Sequence, residues 1–163
     1  MTDAERLRVR AEALSGASAE AGEMRSADEA RAKEIAKRRS EIQTASQLTT
    51  AAAREVIEAA PEESRKVVAQ IATAIVGRLD AREQEISASL RVLAGRIDAL
   101  REIEARLGSS AAMSQADAEE TEELVSIGLE TGEVPKTKPD GRPRRIGNVR
   151  RAEAQIKDGD EKA

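Results

Sequence analysis

Residues 76–107 read VGRLDAREQEISASLRVLAGRIDALREIEARL, and this stretch decides the fold. Large apolar residues recur in it at alternating steps of three and four, the heptad spacing of a helix that buries one stripe. With Ile86 at position d, nine of the eleven a and d positions from Ala72 to Leu107 are apolar, the exceptions being Glu83 and Glu104. The predicted oligomerisation seam consists of Val76, Leu79, Ile86, Leu90, Leu93, Ile97, Leu100 and Leu107.

The seam needs a second helix to cover it, and the sequence is compatible with two sources. One is another copy of the chain in a coiled coil, and the other is the first helix of the same chain in a helical hairpin. Charge favours antiparallel packing, because a parallel homodimer sets Arg96 against Arg101, whereas an antiparallel pair brings Asp80 and Arg101 together. Glu83 and Glu104 at a positions disfavour a tight two-stranded structure unless their carboxylates reach water.

The composition excludes several other architectures. The 163 residues contain no aromatic residue, no histidine and no cysteine, while Ala, Glu, Lys, Leu and Arg make up 91 of them. A compact core of this size normally relies on aromatic rings, so a globular fold is disfavoured. The sequence therefore predicts an all-α protein of long helices that form a coiled coil or helical hairpin, with a flexible basic C-terminal arm.

Signals for the starts and ends of helices divide the chain into segments. Thr2 and Glu5 form a capping box, Pro61 cannot continue a helix but suits the first turn of the next one, and Gly108 is a typical helix end. Asn148 is placed to cap a last short helix. The predicted segments are an Ala-rich helical region at 1–60 with a break near 15–25, a coiled-coil helix at 61–108, an acidic helix at 109–135, and a basic Pro/Gly-containing arm with a short helix and acidic tail at 136–163.

Charge is sharply segregated toward the C-terminus. Residues 109–135 carry a net charge of −7, and residues 136–151 carry +6. Three interpretations fit the basic segment: it contacts protein, either its own acidic helix or a partner; it contacts duplex phosphates; or it is a disordered spacer. Missing aromatics disfavour binding to RNA or single strands. The predicted contact residues are Lys136, Lys138, Arg142, Arg144, Arg145, Arg150 and Arg151.

Residue types that carry chemistry are scarce. Without histidine or cysteine there is no usual proton carrier near neutral pH and no thiolate ligand or nucleophile, so we expect no enzyme, no cofactor and no metal site. No small-molecule substrate is implied. The most apolar window, residues 67–76, is half the length of about 20 residues that a membrane span requires. The charged N-terminus lacks the apolar core of a signal peptide, which predicts a cytoplasmic protein.

The seam Leu79-Ile86-Leu93-Leu100-Leu107, together with Arg142-Pro143-Arg144-Arg145 and Arg150-Arg151, resembles the layout of small helical proteins of bacteriophage particles, including scaffolding proteins. The resemblance implies an extended oligomer whose basic C-terminal element docks on another particle component, in a virus particle assembled in the bacterial cytoplasm. Bacterial cytoskeletal, chromosome-associated and secretion-apparatus coiled coils share this layout. The expected partners are a second copy of the chain and another protein of a larger assembly, with a dimeric duplex-DNA accessory protein as the alternative.

Overall fold

The fold is all-α, as predicted. The computed structural model describes residues 1–160 and the side chains of residues 1–157; the predicted acidic tail, 158–163, lies outside those described side chains. Over this range the helices are α1 (Asp3–Ala59), α2 (Glu62–Thr131) and α3 (Ile146–Asp160). None of these helices is both long enough and apolar enough to cross a bilayer.

Two predicted helix boundaries are confirmed. At the start of α1, the Glu5 amide donates to Thr2 Oγ1 at 3.2 Å and the Thr2 amide donates to Glu5 Oε2 at 2.6 Å, which is the reciprocal capping box. Between α1 and α2, the Pro61 carbonyl accepts the amides of Ser64 and Arg65 at 2.9 and 3.2 Å. Pro61 thus stands immediately before α2, where its missing amide costs nothing.

Two predicted breaks are wrong. α1 has no break at residues 15–25, and α2 runs past Gly108 to Thr131, so the acidic segment continues α2 instead of forming a separate helix. The reason lies in packing between helices. A Cβ on Gly108 would lie 3.6 Å from Ser18 Oγ, and one on Gly22 would lie 3.1 Å from Glu104 Oε1. Both glycines therefore stand where α1 and α2 pack against each other, and that packing offsets the cost of about 1 kcal/mol for each glycine.

The chain divides into two compact units. Unit 1 joins Met1–Gly22 to the chain from Glu102 onward, and unit 2 is Glu23–Arg101. This division differs from the four consecutive segments predicted from the sequence, because each unit combines a portion of α1 with the portion of α2 that packs against it.

Unit 2 is an antiparallel pair of helices. Arg39 donates to Glu83 Oε1 at 3.0 Å, Ser46 donates to Asp80 Oδ1 at 3.3 Å, and Arg96 Nη2 lies 3.0 Å from Asp28 Oδ2. Residue numbers rise along α1 as they fall along α2, so α1 covers α2 in the hairpin arrangement.

The seam positions of unit 2 lie on the covered side of α2. Leu93 and Ile97 are buried, and the other seam residues of the unit are half-buried. Glu83, at a seam position, accepts hydrogen bonds from Gln43 and Arg39. These bonds lower the pKa of the Glu83 carboxyl below its usual value, Gln43 having the larger effect. The acidic residue in the seam is therefore accommodated by polar partners from α1.

Unit 1 packs its helices through small residues. Ser18 Oγ donates to the Glu104 carbonyl at 3.1 Å, and Arg8 pairs with Glu122, which again gives an antiparallel arrangement. Leu107, the last seam residue, is half-buried here. The buried small apolar residues of this unit are Ala4, Ala11, Ala21, Ala111, Ala118 and Ala152.

We predict that Leu93→Asp destabilises the protein by about 3–5 kcal/mol, because an unpaired carboxylate enters a buried position. Chemical denaturation followed by circular dichroism measures the loss. Val92→Asp is the matched control: the neighbouring side chain is 66% exposed, so its replacement costs less than about 0.5 kcal/mol. Equal losses in the two variants would contradict the burial of the seam.

Candidate partner-binding site

Three acidic residues of α2 point in one direction. Asp117, Glu120 and Glu123 are spaced three residues apart, a spacing that keeps side chains on neighbouring positions of one helix face. The chain then reverses at Gly132, whose φ of 79° is the left-handed conformation typical of a helix C-terminus. The Gly132 amide donates to the Gly128 carbonyl at 2.9 Å. This turn sends the basic segment back across the acidic face.

The segment that the sequence predicts as a flexible arm forms a hydrogen-bonded turn in the structure. The Lys138 amide donates to the Arg142 carbonyl at 2.7 Å, and the Arg144 amide donates to the Lys136 carbonyl at 2.9 Å. Gly141 adopts a φ of 80° at the tip. The turn thereby aims the side chain of Arg144 at α2.

Arg144 is the centre of the contact with α2. Its side chain is 3% exposed, with Nη2 donating to Glu123 Oε1 at 2.8 Å and Nη1 donating to Glu120 Oε1 at 3.4 Å. Nε donates to the Thr137 carbonyl at 3.4 Å. A buried guanidinium requires such partners, since an unpaired buried charge is strongly unfavourable.

Arg145, Asn148 and Lys138 extend this contact. Arg145 Nη1 donates to Asp117 Oδ1 at 2.7 Å, and Lys138 Nζ lies 3.7 Å from Glu120 Oε1. The Asn148 side chain is buried, and its amide nitrogen donates to Asp117 Oδ1 at 3.0 Å and Glu120 Oε2 at 2.7 Å. We call these residues the charge cluster: Asp117, Glu120, Glu123, Lys138, Arg144, Arg145 and Asn148.

Asn148 has a different role from the predicted one. It lies in the first turn of α3, which begins at Ile146, and its side chain bridges two carboxylates of α2 instead of capping its own helix. The sequence contains no signal for this bridge other than the acidic segment that precedes it. Beneath the cluster, Leu124, Val149 and Ala152 form a small apolar core between α2 and α3.

Paired charges shift the pKa values at the cluster. The hydrogen bond from Arg144 lowers the pKa of the Glu123 carboxyl below its usual value, and the same bond raises the pKa of Arg144. Because the pKa of Glu123 is lower in the folded state, the stabilisation is present above the ordinary carboxyl pKa. It is lost as pH falls through the lowered value.

Four of the seven predicted contact residues lie outside the cluster. Arg142 is 3.5 Å from Asp140 in the exposed turn, and Arg151 donates to Asn148 Oδ1 at 3.0 Å. Lys136 and Arg150 are exposed and form no ion pair with any residue that the structure describes. The basic segment is thus partly neutralised by its own chain and partly exposed without a counter-charge among the described residues.

Lys136 and Arg150 line a surface groove of about 470 Å³, together with one acidic residue, Glu153. Its apolar lining includes Pro143, Ile146 and Val149, and Ile146 is 71% exposed. We call this the basic groove. Apolar surface beside free cations suits an acidic protein segment that also carries apolar side chains. Among the residues that the structure describes, no group of three acidic side chains is placed to hold a metal ion.

We predict that Arg144→Ala destabilises unit 1 by about 2–3 kcal/mol, because it leaves Glu123 without its hydrogen-bonded cation and removes one of the two cations beside Glu120. Thermal and chemical unfolding at neutral pH measure the effect. Arg142→Ala is the control, since its side chain is 83% exposed and its ion pair contributes at most about 0.5 kcal/mol. If both variants unfold like the wild type, Arg144 does not hold the cluster together.

A second prediction concerns acid. Stability falls as pH drops below the ordinary carboxyl range, and Glu123→Gln reduces this fall because the substituted side chain no longer titrates. Unfolding curves between neutral pH and pH of about 3 measure it. Glu119→Gln, an exposed position on the same helix, keeps the wild-type pH dependence. An unchanged slope in Glu123→Gln would contradict the link between this carboxylate and Arg144.

Compared with known proteins, the chain matches no protein-family model, and no curated protein or solved structure shows significant similarity to it.

Proposed function

We propose that this chain is a non-enzymatic structural protein that self-associates through its paired helices and docks a partner protein through its C-terminal segments. The observation that carries the proposal is the basic groove, where Lys136 and Arg150 lie beside exposed Ile146. α3 is held against α2 by the charge cluster and the small apolar core, so the groove has a defined shape. A preformed surface loses less conformational entropy on binding than a flexible arm.

The proposed partner is another protein of a larger assembly, and its docking segment is acidic with apolar side chains. A component of a bacteriophage particle assembled in the bacterial cytoplasm fits the resemblance in layout. The lack of histidine and cysteine supports a non-enzymatic role.

Duplex DNA binding is the second candidate, supported by three exposed cations, Lys136, Arg142 and Arg150. DNA binding would be weakened because carboxylates of α2 already neutralise Lys138, Arg144 and Arg145. If each exposed cation displaced one counterion, the affinity would fall with salt with a log–log slope of about −2.7. A slope near −6 would instead require the charge cluster to open.

The test is capture of binding partners from a lysate of the cells in which the protein occurs. We expect wild type to retain a protein that Lys136→Glu/Arg150→Glu does not retain. The control, Lys33→Glu/Lys37→Glu, changes charge equally at exposed positions of α1 and keeps the capture. Identical capture by both double variants would refute the basic groove as the docking site. If the wild type retains a duplex oligonucleotide at about 50 mM salt and only Lys136→Glu/Arg150→Glu loses it, the result would favour DNA as the partner.

A further inference from the structure

Unit 2 carries an apolar face that α1 and α2 leave uncovered. Its large side chains are Leu48 and Val56 on α1 and Ile71 and Ile75 on α2, between 43% and 66% exposed. The two residues of each pair are eight or four positions apart, roughly two turns or one, which keeps their side chains on the same side of the helix. We call these four residues the open face.

Helix geometry places both lines on the same side of unit 2. Leu48 directly precedes half-buried Thr49, and Ile75 directly precedes half-buried Val76. In an antiparallel pair of helices, a residue one position before an inward-facing residue projects to the same side of the pair on both helices. A residue one position after an inward-facing residue projects to the opposite side. Thr50 and Gly77, which follow those inward residues, line one groove together. Leu48 and Ile75 therefore lie together on the opposite side.

The contacts of unit 2 also give the level of each residue along the pair. Arg39 and Gln43 contact Glu83, and Ser46 contacts Asp80, so contacting residue numbers add to between 122 and 126. Leu48 is accordingly level with about residue 77, close to Ile75, and Val56 is level with about residue 69, close to Ile71. Apolar side chains of α1 and α2 stand at matching heights.

Charged residues share the side of the open face, with Glu41 and Glu55 on α1 and Arg78 and Arg82 on α2. Glu41 lies seven residues before Leu48, and Arg82 lies seven residues after Ile75, so both occupy the side of the open face. By the same rule, Glu41 is level with about residue 84, which is close to Arg82. Arg82 contacts only Glu85 among the described residues, in a pair whose side chains are both about two-thirds exposed, so the contact contributes little.

We infer that a second copy of this chain covers the open face, forming a four-helix bundle around a two-fold axis parallel to the helices. In this arrangement α1 of one copy packs on α2 of the other, Leu48 meets Ile75, and Glu41 meets Arg82. The interface is isologous, so each favourable contact occurs twice. The inference rests on the self-association in the proposed function and identifies the face that performs it.

Charge disfavours the other two-fold arrangement when its axis passes through Leu48. An axis perpendicular to the helices packs α1 on α1 in opposite directions around Leu48. Glu41 then faces Glu55 of the other copy, because both lie seven residues from Leu48. When that axis passes through Leu48, two such repulsive pairs replace the two attractive pairs of the parallel-axis dimer.

The test is the mass of the full-length protein by sedimentation equilibrium, detected by refractive index because the chain has no aromatic residue. We expect a wild-type dimer, and at least tenfold weaker dimerisation in Leu48→Asp and in Ile75→Asp, with unchanged helicity because both side chains are exposed in the single chain. Leu129→Asp is the matched control: it is 66% exposed, like Leu48, but lies in unit 1, so it keeps the wild-type affinity.

Charge reversal tests the arrangement. Glu41→Arg and Arg82→Glu each weaken dimerisation, and the chain carrying both regains it because the ion pair is restored with opposite sign. A monomeric wild type would refute both self-association and the open face. A dimer unaffected by Leu48→Asp and Ile75→Asp would refute the open face and leave self-association intact. A dimer that the two aspartates weaken but the double charge reversal does not restore would overturn the parallel axis.

Discussion

The pairing of α1 with α2 is the interaction on which the rest of the structure depends. A chain without aromatic residues has few ways to remove large apolar surfaces from water, and a narrow stripe covered by a second helix is one of them. Leu93 and Ile97 are buried because α1 lies over them in unit 2. In unit 1, buried alanines perform the same task, and Ser18 donates a hydrogen bond across to α2.

Polar contacts define how the helices align. Glu83 in the seam is matched by Arg39 and Gln43, and a slip of α1 along α2 would leave this carboxylate partly buried without its donors. Alanine-rich stripes distinguish poorly between alternative registers, since every alanine resembles the next one. The acidic residues in the seam therefore make the alignment of the helices specific at a cost in stability. Single polar residues have the same effect in coiled coils.

The same logic of pairing opposite charges shapes the C-terminal part of unit 1. Arg144 and Asn148 are buried against the acidic face of α2, so a segment rich in proline, glycine and cations acquires a defined conformation. Its cations then have two roles. Those in the charge cluster hold α3, while Lys136 and Arg150 stay exposed beside apolar surface, where the proposed partner would bind.

Local patterns in the sequence determined the all-α fold, the capping box at Thr2, the junction at Pro61 and the inward stripe of α2, because each follows from spacing or from the chemistry of a single residue. Only tertiary structure decided that α1 covers the stripe in each unit, that Gly22 and Gly108 continue helices, and that Asn148 bridges Asp117 and Glu120. These outcomes depend on energies between residues far apart in the chain. A glycine's penalty of about 1 kcal/mol and the conformational entropy of a basic segment are visible locally, whereas the packing and ion pairs that outweigh them exist only after the chain has folded.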